Sequence, residues 1–283
     1  MVNADSMQVY DVLRVLTARP AAEEEAEVPH RLYGVLSPAV NCSAARWRGM
    51  AAAAMAEAWE LGRLPVVVGG TGLYLRTLMV GISPAPDIPT EVRAHARALL
   101  AEMGNAAFHA ALARRDPVMA ARLDPANSQR LARAWEVIEA SGRSLAEWQA
   151  LPRQGAVPAR WLVWSLEPPR HTLYQSCDRR FRLMLEQGAL DEVRALLALD
   201  LDPALPAMKA LGVPELTAFV RGEIPLAAAA AAAEQATRQY AKRQLTWFRH
   251  QLDKPERICT QFSESLFEEI FSKIRQFLLT APR

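Results

Sequence analysis

The sequence predicts an α/β protein with a parallel β-sheet, and three observations support this fold class. Residues 64–70, LPVVVGG, form a short apolar run that ends in glycines, as is typical of a strand buried on both faces. Residues 161–166 are a second candidate strand, and residues 31–36 are a weaker third. The other segments have helical patterns, and alternating strands and helices favour a parallel sheet.

Helical patterns follow the candidate strands at 31–36 and 161–166. A helix is predicted from residue 43 to residue 61, with Ser43 as its N-cap, and another from 173 to 187, where Gly188 ends it. Further helices are expected at 91–103, 214–220, 225–251 and 266–279. The alanine-rich run 227–233 belongs to the long helix, because alanine is the best helix former.

Strand signals are absent between residues 84 and 125, after the proline-rich segment SPAPDIPT. This absence predicts a helical insertion in the α/β core. We therefore expect residues 1–84 to form the first part of the core and residues 85–127 the insertion. Residues 128–283 are expected to continue the core and add a helical C-terminal region.

Composition excludes several classes of protein. The chain has 283 residues, of which 51% are hydrophobic and 23% are charged, as in ordinary globular proteins. No uncharged apolar run reaches the length of a membrane span, and the first residues lack the pattern of a signal peptide. Three widely spaced cysteines indicate reduced thiols, a cytoplasmic location and no cysteine-based metal site. A net charge of +2 indicates no partner by itself.

Two segments lie where ligands bind in open α/β sheets, at the carboxyl ends of strands. Asp5 follows what resembles the end of a buried strand and is placed to act as a catalytic carboxylate, although it could equally cap a helix. Thr71 lies in GGTG after the best candidate strand, where backbone amides and its hydroxyl could donate to phosphate oxygens. Packing alone also produces such glycine-rich turns.

Two helical segments have side chains suited to nucleic acid. In QRLAR, Gln129 and Arg133 share one helix face and could contact bases and phosphates, while a solvated polar face is the commoner explanation. Residues 236–257 contain six basic residues and two acidic ones, a charge pattern that suits an RNA backbone. Tyr240, Trp247 and Phe248 are predicted to belong to the core rather than to stack on bases.

Five segments in a fixed order carry a resemblance to a known family. They are DSMQVY, VPHRLYGVLSP, VVVGGTGLYLRTL, NSQRLARAWEV and RQYAKRQLTWFRH. Together they resemble the bacterial tRNA dimethylallyltransferase family (tRNA isopentenyltransferases) over essentially the whole chain. The resemblance implies a P-loop-kinase-like α/β core, with transfer of a dimethylallyl group from dimethylallyl diphosphate to the N6 amine of adenosine 37, beside the tRNA anticodon.

The resemblance also implies roles for individual residues. Asp5 matches the general base, and Thr71 matches a threonine that contacts substrate near the leaving group. Arg180 matches an arginine that faces the diphosphate, although Ser176 replaces an earlier arginine of that pattern. Positions that match tRNA contacts, or lie in the basic segment, are Asp5, Ser6, Met7, Gln8, Thr71, Arg93, Gln129, Arg130, Leu131, Ala132, Arg133, Lys242 and Arg243. Mg²⁺ is the implied cofactor, without an assigned ligand, and the chain is expected to be a monomer.

One family motif is not found. The P-loop GxxxxGK[ST] should precede DSMQ, but the only lysines are Lys209, Lys242, Lys254 and Lys273. We expect that a unit of roughly 30 residues, with the first strand and the P-loop, is missing through a misplaced start codon or a truncated gene. The 283 residues alone are then expected to be poorly active. A non-catalytic tRNA-binding remnant and an adenylate isopentenyltransferase remain alternatives.

Overall fold

A computed structural model describes residues 1–280. Contacts divide the chain into two compact units, one formed by Met1–Met79 with the chain from Val157 onward, the other by Val80–Ala156. The expected insertion ended at residue 127, whereas the helical unit extends to Ala156. The reason is packing: the helix that carries QRLAR lies against the helix of residues 90–115 and shares its core.

The first unit contains parallel β-structure. Strand β1 (Val2–Asn3) pairs with β2 (Val67–Val68), and β3 (Trp164–Leu166) pairs with β4 (Glu256–Ile258), each pair being parallel. Its helices are α1 (Ala22–Glu27), α2 (Ala44–Glu60), α3 (Gly72–Val80), α8 (Arg170–Glu186), α9 (Ala189–Leu197), α10 (Val213–Val220), α11 (Leu226–Gln251) and α12 (Phe267–Leu279). A mixed α/β fold is therefore confirmed.

Two expectations about strands are wrong. Residues 64–70 are not buried on both faces, since Val66 is 45% exposed and Val68 is 41% exposed. The cause is a groove of about 450 Å³, which residues 64–69 and 159–166 line together with other apolar side chains. Residues 31–36 form only isolated bridges, because Leu32 and Gly34 have positive φ angles of 67° and 57° that turn the backbone.

The predicted helices are confirmed within a few residues, except that the helix predicted at 91–103 continues past a kink at Gly104 to Arg115. Ser43 caps α2, and its hydroxyl accepts the backbone N–H of Arg46 at 3.1 Å. This helix packs Trp47 into the core, where its ring stacks on Tyr74 at 4.4 Å. Helix α8 ends before Gly188, whose φ of 100° is costly for other residues. Among residues 1–280, no helix is both long enough and apolar enough to cross a membrane.

The second unit is helical and has its own core. It comprises α4 (Thr90–Arg115), α5 (Pro117–Ala120), α6 (Ser128–Ser141) and α7 (Leu145–Ala150). Helix α4 is kinked at Gly104, where φ is 71°. Phe108 of α4 and Trp135 of α6 are buried, with ring centroids 5.0 Å apart.

Candidate active site

Asp5 lies two residues beyond β1 and is held by the turn that follows it. Its Oδ1 accepts the backbone N–H of Met7 at 2.8 Å and that of Gln8 at 3.4 Å. Within residues 1–280, Oδ2 has no hydrogen-bond partner, so one carboxylate oxygen is available to a ligand. The carboxylate thus both caps the local turn and offers a proton acceptor.

Asn3 fixes the backbone of Asp5. This fully buried carboxamide accepts the N–H of Asp5 through Oδ1 at 2.8 Å, and its Nδ2 donates to the carbonyls of Asp5 and Leu32, each at 3.0 Å. The Trp47 indole donates to the Asn3 carbonyl at 2.9 Å. The sequence analysis did not identify Asn3 as part of the site, although a polar residue inside a buried strand indicates a structural or functional role.

The electrostatic surroundings make Asp5 a stronger base than an ordinary aspartate. Burial raises the pKa of Asp5 above its usual value, while the N–H donors of Met7 and Gln8 and the Arg180 guanidinium lower it in part. Since burial dominates, the net direction is upward. A raised pKa favours proton acceptance and is typical of functional carboxylates.

Thr71 meets the Asp5 turn directly. Its backbone N–H donates to the Ala4 carbonyl at 3.1 Å, and its Oγ1 accepts the N–H of Ser6 at 2.9 Å. The hydroxyls of Thr71 and Ser6 are 3.2 Å apart, with Thr71 as donor. The structure therefore brings together Asp5, Ser6 and Thr71, three of the residues singled out in the sequence.

Gly69 makes this approach possible. A Cβ atom at this position would lie 2.2 Å from the carbonyl carbon of Ala4 and 2.6 Å from the backbone nitrogen of Asp5. Because these atoms are backbone, they cannot swing aside as a flexible side chain would. Only glycine fits between β2 and the Asp5 turn.

Helix α11 packs on the same glycine loop. Gln244 donates through Nε2 to the carbonyl of Gly70 at 3.0 Å, and the Trp247 indole lies against Gly72, where a Cβ would come within 2.3 Å of the ring. Trp247 is half-buried in this contact rather than facing solvent. The sequence reading placed Trp247 in the core but did not identify Gln244 as part of the site.

The other residues predicted to contact substrate near Asp5 differ in how accessible their side chains are. The Gln8 amide is occupied by the protein, because Nε2 donates to the carbonyls of Thr17 and Ala18 at 2.8 and 3.0 Å. Met7 is half-buried against the core. Arg180, on α8, is exposed and near enough to Asp5 to lower the pKa of its carboxyl. It is the arginine that the resemblance assigned to the diphosphate.

The basic segment carries fewer free cations than its sequence indicated. Arg238 pairs with Asp178 at 2.5 Å, while Arg249 and Arg257 both lie beside the buried carboxylate of Glu167, at 3.3 and 3.6 Å. These acids come from other parts of the chain. Lys242 and Arg243 are exposed and, within residues 1–280, form no ion pair.

The remaining predicted RNA contacts lie in the helical unit. Gln129, Arg130 and Arg93 are exposed, and Arg133 is half-buried beside Glu136 at 3.4 Å. Leu131 and Ala132 are buried, with 0% and 9% exposure, so their side chains pack in the core of this unit. In the QRLAR segment, therefore, only the polar side chains are accessible to solvent.

The described residues do not form a metal site of their own. Across residues 1–280, no group of three or more His, Cys, Asp or Glu side chains could hold a metal ion. A protein-borne Mg²⁺ site usually needs such oxygen ligands, or one or two carboxylates with substrate phosphates. The described residues therefore do not supply a full set of Mg²⁺ ligands by themselves.

Comparisons with known proteins identify the family. A profile described as IPP transferase matches residues 8–251. The chain belongs to the IPP transferase family. It is therefore an enzyme of the prenyltransferase type.

Individual relatives agree with this assignment. The chain is 62% identical over 282 residues to a tRNA dimethylallyltransferase of Paramagnetospirillum magneticum, covering all of this chain and 90% of that protein. It is 60% identical over 253 residues to a tRNA dimethylallyltransferase of Rhodospirillum centenum, covering 89% of this chain and 81% of that protein.

Two solved structures are also similar to this chain. A crystal structure of a tRNA isopentenylpyrophosphate transferase from Staphylococcus epidermidis matches with a TM-score of 0.67 and 29% identity, covering 97% of this chain and 90% of the other. A eukaryotic dimethylallyltransferase acting on tRNA matches with a TM-score of 0.79 and covers 99% of this chain and 73% of the other. The latter is only 22% identical and shows the fold alone.

Proposed function

We propose that this chain transfers a dimethylallyl group from dimethylallyl diphosphate to the exocyclic N6 amine of adenosine 37 in tRNA. The observation that carries the proposal is the half-buried Asp5 carboxylate, on the turn that the Thr71 hydroxyl contacts. Its pKa is raised and, among residues 1–280, its Oδ2 has no hydrogen-bond partner. The relatives that are 62% and 60% identical bear the name tRNA dimethylallyltransferase, which supports tRNA as the acceptor.

The residue types suit the chemistry. The exocyclic amine of adenine is a poor nucleophile, so a base must accept its proton as the carbon–nitrogen bond forms. Asp5 takes this role, with Oδ2 as the proton acceptor and Oδ1 held by Met7 and Gln8. Thr71, at the end of the glycine loop, contacts the substrate near the breaking carbon–oxygen bond.

Negative charge accumulates on the departing diphosphate, and cations stabilise it. Arg180 is exposed and close to Asp5, so its guanidinium is placed to bind the diphosphate while favouring the charged form of the base. Mg²⁺ would accompany the diphosphate and neutralise part of its charge. No side chain of this protein is assigned to hold it.

RNA recognition is assigned to both units, each with its own exposed cations. Lys242 and Arg243 on α11 would contact phosphates near the active site, and Arg93, Gln129, Arg130 and Arg133 would contact the anticodon stem-loop. The target base must leave its stack, at a cost of a few kcal/mol. Contacts with the surrounding nucleotides would offset this cost. Such a reaction would take place in the cytoplasm, with the protein as a monomer.

A direct assay tests the proposal. The purified chain is incubated with radiolabelled dimethylallyl diphosphate, Mg²⁺ and a mixture of unmodified tRNA and AMP, and the label is located by nuclease digestion and mass spectrometry. Label on adenosine 37 supports the proposal, and label on free AMP in preference to tRNA contradicts it. A tRNA with guanosine at position 37 is the matched acceptor control.

The non-catalytic alternative makes a different prediction. A tRNA-binding remnant would bind tRNA in a salt-sensitive manner that Asp5→Ala leaves unchanged, and it would transfer no label. For the enzyme, Lys242→Ala should reduce by about one the slope of a plot of log K for tRNA binding against log salt concentration. Arg194→Ala is the control and should not change this slope, because the Arg194 side chain pairs with Asp191 at 2.9 Å. Low activity of these 283 residues by themselves stays a prediction, which the turnover number in the same assay measures.

A further inference from the structure

Glu167 is a buried carboxylate at the end of β3 that the proposed reaction does not use. Its side chain is only 5% exposed, and its backbone N–H donates to the Ile258 carbonyl of β4 at 2.8 Å. The Ser165 hydroxyl donates to its Oε1 at 3.0 Å. The two paired strands therefore hold this carboxylate in one position.

Two arginines share the Glu167 carboxylate. The Nε of Arg249, near the end of α11, donates to Oε2 at 3.3 Å, and the Nε of Arg257, on β4, lies 3.6 Å from Oε1. One cation is enough to compensate a buried carboxylate, whose charge would be costly if it were unpaired. The second guanidinium gives these three residues, which we call the Glu167 cluster, a net charge of +1.

No other acidic side chain compensates this excess charge. Within residues 1–280, neither arginine forms an ion pair with a carboxylate other than that of Glu167. Glu256, the neighbouring acid on β4, pairs instead with Lys273 at 2.7 Å. The excess positive charge is therefore available to an anion from outside the protein.

The donors of the Glu167 cluster suit a phosphate group. Both guanidiniums are engaged through Nε, and within residues 1–280 their terminal nitrogens have no hydrogen-bond partner. The side chains of Arg249 and Arg257 are 56% and 46% exposed, so a ligand in solution can reach them. A guanidinium binds phosphate oxygens through two parallel N–H groups.

The position of Arg249 on α11 favours an RNA phosphate over the donor diphosphate. Arg249 follows Gln244 by five residues, which places it about 140° around the helix from the side chain that contacts Gly70. Lys242 precedes Arg249 by seven residues, so the two share a helix face and lie about 10 Å apart along it. A nucleic-acid strand presents phosphates along its whole length and can reach both positions, whereas a diphosphate is too short.

We propose that the Glu167 cluster binds one phosphate of the tRNA backbone, with Glu167 as the residue that positions both guanidiniums. The inference rests on the proposed function in that tRNA is the acceptor. It assigns a specific RNA contact to Arg249 and Arg257, which the sequence analysis counted only as part of the basic segment.

Salt-dependent binding of unmodified tRNA tests the site without turnover. Arg257→Gln leaves Glu167 paired with Arg249 and cancels the excess charge. We expect the Kd for tRNA to rise about 5- to 10-fold at about 0.1 M salt, and the slope of log K against log salt concentration to be reduced by about one. Arg249→Gln should give the same change. Arg31→Gln is the matched control and should change neither quantity, because Arg31 pairs one-to-one with Glu57 at 2.6 Å.

A triple variant determines whether the two arginines bind the same phosphate. Glu167→Gln, Arg249→Gln and Arg257→Gln together remove the buried charge with its partners, so no unpaired carboxylate is left in the interior. The slope should again be reduced by about one, because a single phosphate contact is lost. A reduction of about two would mean two separate phosphates and would overturn the shared site. A thermal melt of each variant establishes that it is folded.

Ethylation interference on the RNA identifies the phosphate directly. tRNA with randomly ethylated phosphates is bound to the wild-type chain and to Arg257→Gln, and the phosphates whose ethylation prevents binding are compared. We expect one phosphate whose ethylation prevents binding to the wild-type chain and has no effect on binding to the variant. Identical interference patterns overturn the inference.

The outcomes separate this inference from the function on which it rests. A chain that binds tRNA as expected but transfers no prenyl group overturns the proposed function and supports the phosphate site. An unchanged Kd and slope in both single variants overturn the phosphate site while the wild-type chain still modifies tRNA. A raised KM for dimethylallyl diphosphate in Arg257→Gln, with unchanged tRNA binding, would assign the Glu167 cluster to the donor and also overturn the inference.

Discussion

The carboxamide of Asn3 and the backbone of Asp5 hold each other through two hydrogen bonds, from Asp5 N–H to Asn3 Oδ1 at 2.8 Å and from Asn3 Nδ2 to the Asp5 carbonyl at 3.0 Å. A third bond joins Asn3 to the Leu32 carbonyl at 3.0 Å. The side chain that orients the proposed catalytic carboxylate of Asp5 thus belongs to the last residue of β1. Its own burial makes this arrangement rigid.

Replacing Asn3 with alanine should destabilise the protein. The change leaves the Asp5 N–H and the Asp5 and Leu32 carbonyls unsatisfied in the interior, and we expect the free energy of unfolding to fall by about 2–4 kcal/mol. Urea denaturation measures the change. Asn41→Ala, at an exposed position, is the control and should alter stability by less than about 0.5 kcal/mol. Equal effects of the two substitutions would contradict the role of Asn3.

Replacing Asp5 with asparagine should separate activity from stability. Asparagine retains the Oδ1 acceptor for Met7 and Gln8 but cannot take a proton, so prenyl transfer should fall about 100-fold or more. Because burial raises the pKa of Asp5, its charged form is less favourable in the folded state than in the unfolded chain. The free energy of unfolding at pH 7 should therefore stay the same or increase.

Parallel assays of activity and urea denaturation measure both effects of Asp5→Asn. Asp11→Asn, at an exposed position, is the control and should leave both quantities near their wild-type values. A variant that is inactive and also much less stable would mean that Asp5 is structural.

The pH dependence of kcat/KM should report the same carboxylate. The active form of Asp5 is deprotonated, so activity should fall as the pH drops through the pKa of Asp5, which lies above its ordinary value of 3.8. Arg180→Ala removes a cation that lowers this pKa, and the acid limb should move to higher pH. Arg182→Ala, whose side chain pairs with Glu234 on the surface, should not move the limb. A shift to lower pH in Arg180→Ala would refute the assignment.

The glycine loop can be tested with two matched substitutions. Gly69→Ala places a methyl group 2.2 Å from the Ala4 backbone, and we expect a loss of about 2–4 kcal/mol in the free energy of unfolding. Gly49→Ala lies in α2 with no atom within 4 Å of the new methyl group, and it should stabilise the protein by about 0.5–1 kcal/mol. Thermal denaturation of the two variants, compared with wild type, tests whether the close approach of the Ala4 backbone is the reason that glycine is required at position 69.

Most of the helices could be predicted from sequence because their signals are local. Ser43 and Gly188 were identified as boundaries from residue type alone, and α2 and α8 begin or end beside them. Periodicity and capping depend on residues within a few positions of each other, so one sequence carries them. The ordered motifs likewise predicted the family, which the comparisons confirmed.

Burial and ion pairing were less predictable. The apolar run at 64–70 was expected to be buried on both faces, but Val66 and Val68 are exposed beside a groove. Arg238, Arg249 and Arg257 raised the local charge in the sequence, yet they pair with Asp178 or Glu167, which are far away along the chain. Composition counts charges but does not show which ones neutralise each other.

The sequence by itself determined the α/β class, the helices and the presence of Asp5 and Thr71 as candidate catalytic residues. Only the tertiary structure decided that Asn3 holds Asp5 and that Gln244 and Trp247 contact the glycine loop from α11. These partners are separated by long stretches of sequence from the loop they support. Their contacts arise from strand pairing and helix packing, and such distant contacts leave no periodic signal in a single sequence.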